Sequence, residues 1–229
     1  MQIWLDTIDE DVIADGVKTG VLYGVTTNPS ILSNADNVLE TLTRILDIQS
    51  GPVAVQVTST DPKDIVEEGM RIFELSPRMI VKVPINRNGL VAIAQLRRED
   101  VPVMGTGILF PTQVLLASNL GVSYIAPYFS HMGDIGDAGV TLKTMVEMLR
   151  VTQSSTQILA ASLKQLDHII LCASQGVAAV TIKPDLYYKL IADHPVVEGF
   201  YQKFLFDWMH THGKLSIKDV LGQVNCNYR

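Results

Sequence analysis

Cysteine is scarce in this sequence: Cys172 and Cys226 are the only two among 229 residues. Two isolated cysteines, one of them in a polar C-terminal tail, are too few for a disulfide framework or a thiolate metal site. Their scarcity is typical of a reducing compartment, so we predict a cytoplasmic protein.

Basic runs, long apolar runs and export signals are also missing. Lys and Arg number 18 against 24 Asp and Glu, a net charge of -6, which excludes nucleic acid as the main partner. No apolar run approaches the length of a membrane span, and the segment Met1 to Asp6 lacks the basic and apolar parts of a signal peptide. We therefore predict a soluble protein with no membrane partner.

Motifs for metals and cofactors are absent as well. The five histidines show no metal-ligand spacing except His210 and His212 near the C-terminus, and Asp134 and Asp137 form only a short acidic pair. No glycine-rich phosphate loop occurs. We predict neither a metal site nor a cofactor.

The sequence does contain abundant apolar material in a repeating order. Its 47% hydrophobic residues are enough for a large core. Short β-prone runs alternate with stretches of helical spacing, and eight such units predict one (β/α)8 barrel over residues 1–193 rather than an open doubly wound sheet. The predicted strands are Ile3–Leu5, Leu22–Thr26, Val53–Val57, Met79–Val83, Val101–Gly105, Val122–Ala126, Gln157–Ala161 and Ala178–Ile182.

An additional helix is predicted at residues 194–213, followed by a tail at 214–229. Phe200, Phe204 and Trp208 lie four residues apart and share one face of this helix. A closed barrel does not need the helix, so it either covers the outer helices of the barrel or docks on a neighbouring subunit.

Polar residues stand at or just after the carboxyl ends of the predicted strands, where (β/α)8 barrels place their catalytic groups. Seven of the eight strands contribute one, and the main candidates are Asp6, Thr26, Gln56, Lys82, Thr106, Tyr128 and Ser162. This pattern predicts one polar site at one mouth of the barrel.

Lys82 is the strongest candidate, because it lies inside the apolar strand Met79–Val83. Burial lowers the pKa of a lysine toward neutrality, and a neutral amine attacks a carbonyl to form a Schiff base. The alternative is a structural lysine paired with a buried carboxylate such as Asp6. Asp6 itself either caps the first helix or moves protons for Lys82.

Six short segments follow one another in order along nearly the whole chain: Leu5-Asp6-Thr7, Gly24 to Ser30, Val81 to Pro84, Gly105-Thr106, Ala126 to Tyr128 and Ala160 to Ser162. Taken together, they resemble the transaldolase family. The resemblance implies a (β/α)8 barrel and class I aldolase chemistry. It also implies that Lys82 forms the Schiff base, that Asp6 is the acid/base, and that Thr26 and Asn28 hold the hydroxyls of a dihydroxyacetone unit.

Two positions divide the family, and both resemble its aldolase branch. Transaldolases tend to carry Glu and Phe where this chain has Gln56 and Tyr128, whereas fructose-6-phosphate aldolases carry Gln and Tyr. Tyr128, Gln56 and Thr106 could fix a water that protonates the enamine, so that dihydroxyacetone leaves without an acceptor. The prediction is cleavage of fructose 6-phosphate or a related ketose to dihydroxyacetone and glyceraldehyde 3-phosphate. The alternatives are a transaldolase and a non-catalytic sugar-binding barrel.

One position departs from the family pattern, because His131 stands where an arginine is usual. Ser162 is retained, and Lys183 could supply positive charge. We predict a weaker or pH-dependent phosphate site, or a preference for unphosphorylated aldehydes; alternatively, His131 faces solvent. The resemblance further implies a homo-oligomer, a pentamer or decamer, in which the C-terminal helix packs on a neighbour.

Overall fold

The protein folds as a closed barrel of eight parallel strands, each paired with the next in sequence and the last with the first. The computed structural model describes residues 1–222, so Cys226 and the end of the predicted tail lie outside the described residues. The strands are β1 Gln2–Asp6, β2 Leu22–Thr26, β3 Val53–Gln56, β4 Met79–Pro84, β5 Val103–Ile108, β6 Tyr124–Pro127, β7 Gln157–Ala160 and β8 Ala179–Ile182.

All eight predicted strands are confirmed, and β5 differs most from its predicted bounds. Val101 was expected to begin this strand, but its amide donates to Leu96 O at the end of the preceding helix. Asp100, just before it, adopts the left-handed conformation with φ 56°. The chain therefore turns where the strand was predicted to start, and β5 begins at Val103.

Helices cover the outside of the barrel between the strands. Proline occupies the first helical position of several of them, because its missing N–H needs no partner there. The helices that cover the barrel are α1 Glu10–Lys18, α2 Pro29–Leu32, α3 Val38–Ile48, α4 Pro62–Glu74, α5 Arg87–Arg98, α6 Pro111–Asn119, α7 Phe129–Gly133, α8 Ala138–Val151, α9 Leu166–Ser174 and α10 Pro184–Ile191.

The core has two parts, and the inner one fills the barrel itself. A larger cluster lies between the strands and the surrounding helices. The inner cluster combines large side chains, such as Trp4 and Met104, with alanines. Gly24 completes this fit, since a Cβ there would lie 2.8 Å from the Trp4 ring. The members of the inner cluster are Trp4, Ala54, Ile80, Met104, Tyr124, Ala126, Leu159, Ala161 and Ala179.

A second compact unit begins at Ile191, after a first unit of Met1–Leu190. It contains α11 Pro195–His212, which confirms the predicted C-terminal helix, and α12 Ile217–Gly222. Trp208 Nε1 donates to Leu215 O at 2.6 Å, so the chain between these two helices folds back on α11. Within residues 1–222, no helix is long and apolar enough to cross a membrane.

Candidate active site

The inner core determines which polar residues meet at the carboxyl mouth of the barrel. Side chains alternate along a strand, so a residue two positions after an inward one also points inward. The residues that stand two positions after members of the inner cluster include six polar ones. They are Asp6, Gln56, Lys82, Thr106, Tyr128 and Thr181. Five were predicted from the sequence, and Thr181 was missed.

Lys82 lies in the middle of β4 with 5% of its surface exposed. Its Nζ donates to Thr27 O at 2.7 Å. Burial lowers the pKa of the Lys82 ammonium, and the charge of Asp6 opposes this shift to a smaller extent. None of the ion pairs found among residues 1–222 includes Lys82. The structural alternative, a Lys82–Asp6 salt bridge, is therefore not formed.

Asp6 ends β1 and is bound by a chain of hydroxyls rather than by the lysine. Its Oδ1 accepts from Thr26 Oγ1 at 2.7 Å, and Thr26 Oγ1 lies 2.7 Å from Thr181 Oγ1. Thr26 has one hydroxyl hydrogen, which goes to the carboxylate, so Thr181 is the donor to Thr26. The cap of α1 is Asp9, which accepts from the amides of Asp11 and Val12. Asp6 is thus free of the capping role.

Gln56, Thr106 and Tyr128 come from the carboxyl ends of β3, β5 and β6. Thr106 Oγ1 and Tyr128 OH are 3.0 Å apart. Gln56, on β3, is in register with Lys82 on β4, and its Oε1 is buried without a hydrogen-bond partner in the described part of the chain. A buried carbonyl oxygen of this kind needs a water or a ligand as donor.

These groups border a cavity of about 450 Å³ at the carboxyl mouth. Thr26 is fully buried behind Asp6, and Thr106 contacts the cavity residue Tyr128. Asn28 Oδ1 accepts from the Ile31 amide and so caps α2. The polar lining consists of Asp6, Asn28, Ser30, Gln56, Lys82, Tyr128, His131, Ser162, Thr181 and Lys183.

His131 lines this cavity next to Ser162, at the ends of β6 and β7. Ser162 Oγ and His131 Nδ1 are 3.1 Å apart, and Ser162 O accepts from Ser130 Oγ at 2.6 Å. Ser162 has φ 60°, a strained conformation for a residue other than glycine, and such strain is common at functional sites. Lys183 brings an ammonium to the same cavity.

A family model described as transaldolase/fructose-6-phosphate aldolase matches residues 3–218. The chain belongs to this family. It is therefore an enzyme of the class I aldolase type, in agreement with the buried lysine of β4. No group of three or more His, Cys, Asp or Glu suited to a metal ion occurs among residues 1–222.

Relatives of the transaldolase family match the chain over almost its whole length. It is 35% identical over 213 residues to a probable transaldolase of Caulobacter vibrioides, covering 92% of this chain and 98% of that protein. It is 36% identical over 216 residues to a probable transaldolase of Thermoplasma acidophilum, covering 91% and 95%.

Solved structures with low sequence identity share the barrel fold. A flavocytochrome b2 variant superposes with a TM-score of 0.59 at 14% identity, over 81% of this chain and 57% of that chain. A mandelate oxidase mutant gives a TM-score of 0.57 at 15% identity, over 92% and 73%. At this identity the likeness concerns the fold alone.

Proposed function

We propose that this member of the family cleaves fructose 6-phosphate or a related ketose reversibly, through an imine on Lys82. The products are dihydroxyacetone and an aldehyde such as glyceraldehyde 3-phosphate. The observation that carries the proposal is the buried Lys82 amine, which has no carboxylate partner and shares its cavity with Asp6 and Tyr128. Burial of this kind favours the neutral, nucleophilic form of the amine.

Imine formation uses Lys82 and Asp6. The neutral amine adds to the C2 carbonyl of the ketose, and the resulting carbinolamine loses its hydroxyl as water to give an iminium. Asp6 relays to the leaving hydroxyl a proton taken up from solvent, and a proton returns to solvent when the final iminium is hydrolysed. Asp6 suits this role because it lines the same cavity and is held in place by Thr26.

Cleavage then uses Asp6 as a base. Its carboxylate takes the proton of the C4 hydroxyl, the C3–C4 bond breaks, and its electron pair moves toward the iminium to give an enamine on Lys82. The aldehyde leaves. A proton delivered to C3 restores the iminium, and addition of water releases dihydroxyacetone and the free amine.

Tyr128, Thr106 and Gln56 support the step that protonates C3. The Tyr128–Thr106 pair and the unpartnered Gln56 oxygen offer donors and acceptors that could hold a water beside the enamine. We expect Tyr128→Phe to lower dihydroxyacetone release relative to transfer to an added aldehyde, measured by product analysis with and without acceptor. An unchanged ratio would contradict a role of the phenol in protonation.

Transaldolase activity is the second candidate, and the names of the relatives favour it. In that reaction the enamine attacks a second aldose phosphate instead of taking a proton. Product analysis without an acceptor separates the two, because only the aldolase releases dihydroxyacetone in stoichiometric amounts.

The experiment that tests the shared chemistry is reductive trapping. The protein is incubated with fructose 6-phosphate or dihydroxyacetone, reduced with borohydride, and mapped by mass spectrometry beside Lys82→Met and a surface control, Lys63→Met. We expect one adduct, on Lys82, in the unsubstituted protein and the control. If neither sugar leaves an adduct, imine catalysis is wrong and a non-catalytic sugar-binding barrel replaces it.

A further inference from the structure

The connection from β3 to α4 begins directly after Gln56 and is fastened by one carboxylate. Glu68, on α4, accepts from the Thr58 amide at 2.7 Å and the Thr58 hydroxyl at 2.9 Å. It also accepts from the Ser59 amide at 3.2 Å and the Ser59 hydroxyl at 2.6 Å. Four donors on one carboxylate are more than capping of a helix or turn requires, so Glu68 fixes both residues at once.

The residues on either side of Thr58 and Ser59 are also held by hydrogen bonds. The Val57 amide donates to Lys82 O at 3.1 Å, which extends the pairing with β4 one residue past Gln56. Asn88, on α5, donates from Nδ2 to Thr60 O at 3.0 Å. The backbone from 57 to 60 is therefore bound to β4, α4 and α5 in succession.

Gln56 depends on this backbone for its direction. Its Oε1 is buried and accepts no hydrogen bond from the described residues, so no such contact orients the side chain at this atom. The direction of the amide into the cavity follows from the backbone of Gln56 and from its packing. A shift in the next residues would move the Oε1 atom, and misplacement by about 1 Å can cost catalysis up to about 100-fold.

The pKa of the Glu68 carboxyl agrees with this set of hydrogen bonds. Partial burial alone would raise the pKa of the Glu68 carboxyl, but the hydrogen bonds from Ser59 and Thr58 outweigh it and leave the pKa below its usual value. The carboxylate is thus the form that the folded protein stabilises. The side chain of its neighbour Glu67 is 68% exposed and pairs on the surface with Arg71, one turn further along α4.

We propose that Glu68 is a positioning residue for catalysis, which holds the β3–α4 connection so that Gln56 points at the water or substrate beside Lys82. This inference rests on the proposed function, because it assigns Gln56 to the protonation of the enamine. It adds to the site a residue that does not itself reach the reacting atoms.

The test compares Glu68→Gln and Glu68→Ala with Glu67→Gln and Glu67→Ala as matched controls on the same helix. The readout is the ratio of dihydroxyacetone release to transfer onto an added aldehyde, together with Lys82 trapping by borohydride. We expect the Glu68 variants to lower the ratio about tenfold or more, with trapping retained and the Glu67 variants unchanged. Glu68→Gln keeps the shape of the side chain, so the ratio can still be measured on this variant if Glu68→Ala does not fold.

A second set of variants separates positioning from stability. If Glu68 acts through Gln56, the effect of Glu68→Gln on the ratio disappears in a Gln56→Ala background. An equal effect in both backgrounds would overturn the proposal, and so would an unchanged ratio in a protein whose Lys82 is trapped. Absence of any Lys82 adduct in the unsubstituted protein would instead overturn the proposed function and this inference with it.

Discussion

Thr181 is the residue through which β8 takes part in the site. It donates to Thr26, which in turn donates to Asp6. Replacing Thr181 with Val keeps the shape but leaves the Thr26 hydroxyl without its donor. A hydrogen bond between two neutral groups is worth about 0.5–1.5 kcal/mol, so we expect kcat to fall about two- to tenfold. The measurement is kcat at saturating ketose.

The controls for this prediction are Thr181→Ser and Thr156→Val. Thr181→Ser keeps the hydroxyl and should retain most of the activity. Thr156 is as buried as Thr181, and its hydroxyl donates to Val122 O at 2.8 Å, away from the cavity residues. Thr156→Val should therefore lower stability but not kcat. Equal kcat values for both Val variants would show that the Thr181 hydroxyl has no catalytic role.

His131 determines which aldehydes we expect the cavity to accept. An imidazole beside Ser162 offers one hydrogen bond, whereas a guanidinium grips a phosphate with two. We expect His131→Arg to raise kcat/KM for phosphorylated over unphosphorylated aldehydes about tenfold, as one added charge-assisted bond of about 1.5 kcal/mol or more would give. The check is the ratio of the two kcat/KM values. A fall in that ratio would contradict a phosphate-binding role for position 131.

Single residues differ in how visible they are in the sequence. Lys82 stands out because a charged residue inside an apolar strand requires an explanation. Thr181 does not, since threonine is common in strands for reasons of backbone preference alone. Glu68 follows Glu67 on a helix, and such pairs usually face solvent. Only the barrel, which brings the β3–α4 connection over that face of α4, gives Glu68 its four donors.

The elements were predictable where a short-range pattern determines them. Apolar runs indicated the strands because strands of a parallel barrel are buried on both faces. Their ends depend on tertiary contacts, as the start of β5 shows. The division of one connection into α2 and α3 was not predicted, because it depends on side-chain caps at Asn28 and Asn37.

The junction of β4 and α5 gives a prediction at the scale of elements. A Cβ on Gly89 would lie 1.9 Å from the carbonyl oxygen of Pro84, the last residue of β4 and two residues after Lys82. Alanine favours helices over glycine by about 1 kcal/mol, yet this contact with backbone cannot relax cheaply. We expect Gly89→Ala to destabilise the barrel by about 1–3 kcal/mol, measured by denaturant unfolding.

Gly199 on α11 provides the opposite case for the same substitution. Apart from the chain neighbours and the backbone of α11 itself, no atom of residues 1–222 lies within 4 Å of a Cβ built there. Gly199→Ala should therefore follow helix propensity and stabilise α11 rather than weaken it. If Gly89→Ala proved as harmless as Gly199→Ala, the close approach of α5 to β4 would not be a constraint on the fold.

At the scale of the whole molecule, α11 leaves a large apolar surface. None of its residues is buried, and Phe200 and Phe204 are 56% and 64% exposed. Monomers rarely expose contiguous apolar patches of more than a few hundred Å². We therefore keep the prediction that the protein is a homo-oligomer, a pentamer or decamer, with this face of α11 covered by a neighbouring subunit.

Sedimentation of the full chain tests this assembly. The unsubstituted protein should sediment at a multiple of its 25.2 kDa monomer mass. Phe200→Glu with Phe204→Glu places two charges on the apolar face and should shift the mass toward the monomer, because burying an unpaired carboxylate is costly. Gln202→Glu adds a charge to another face of α11 and should leave the mass unchanged. A monomeric unsubstituted protein would mean that α11 is not an assembly surface.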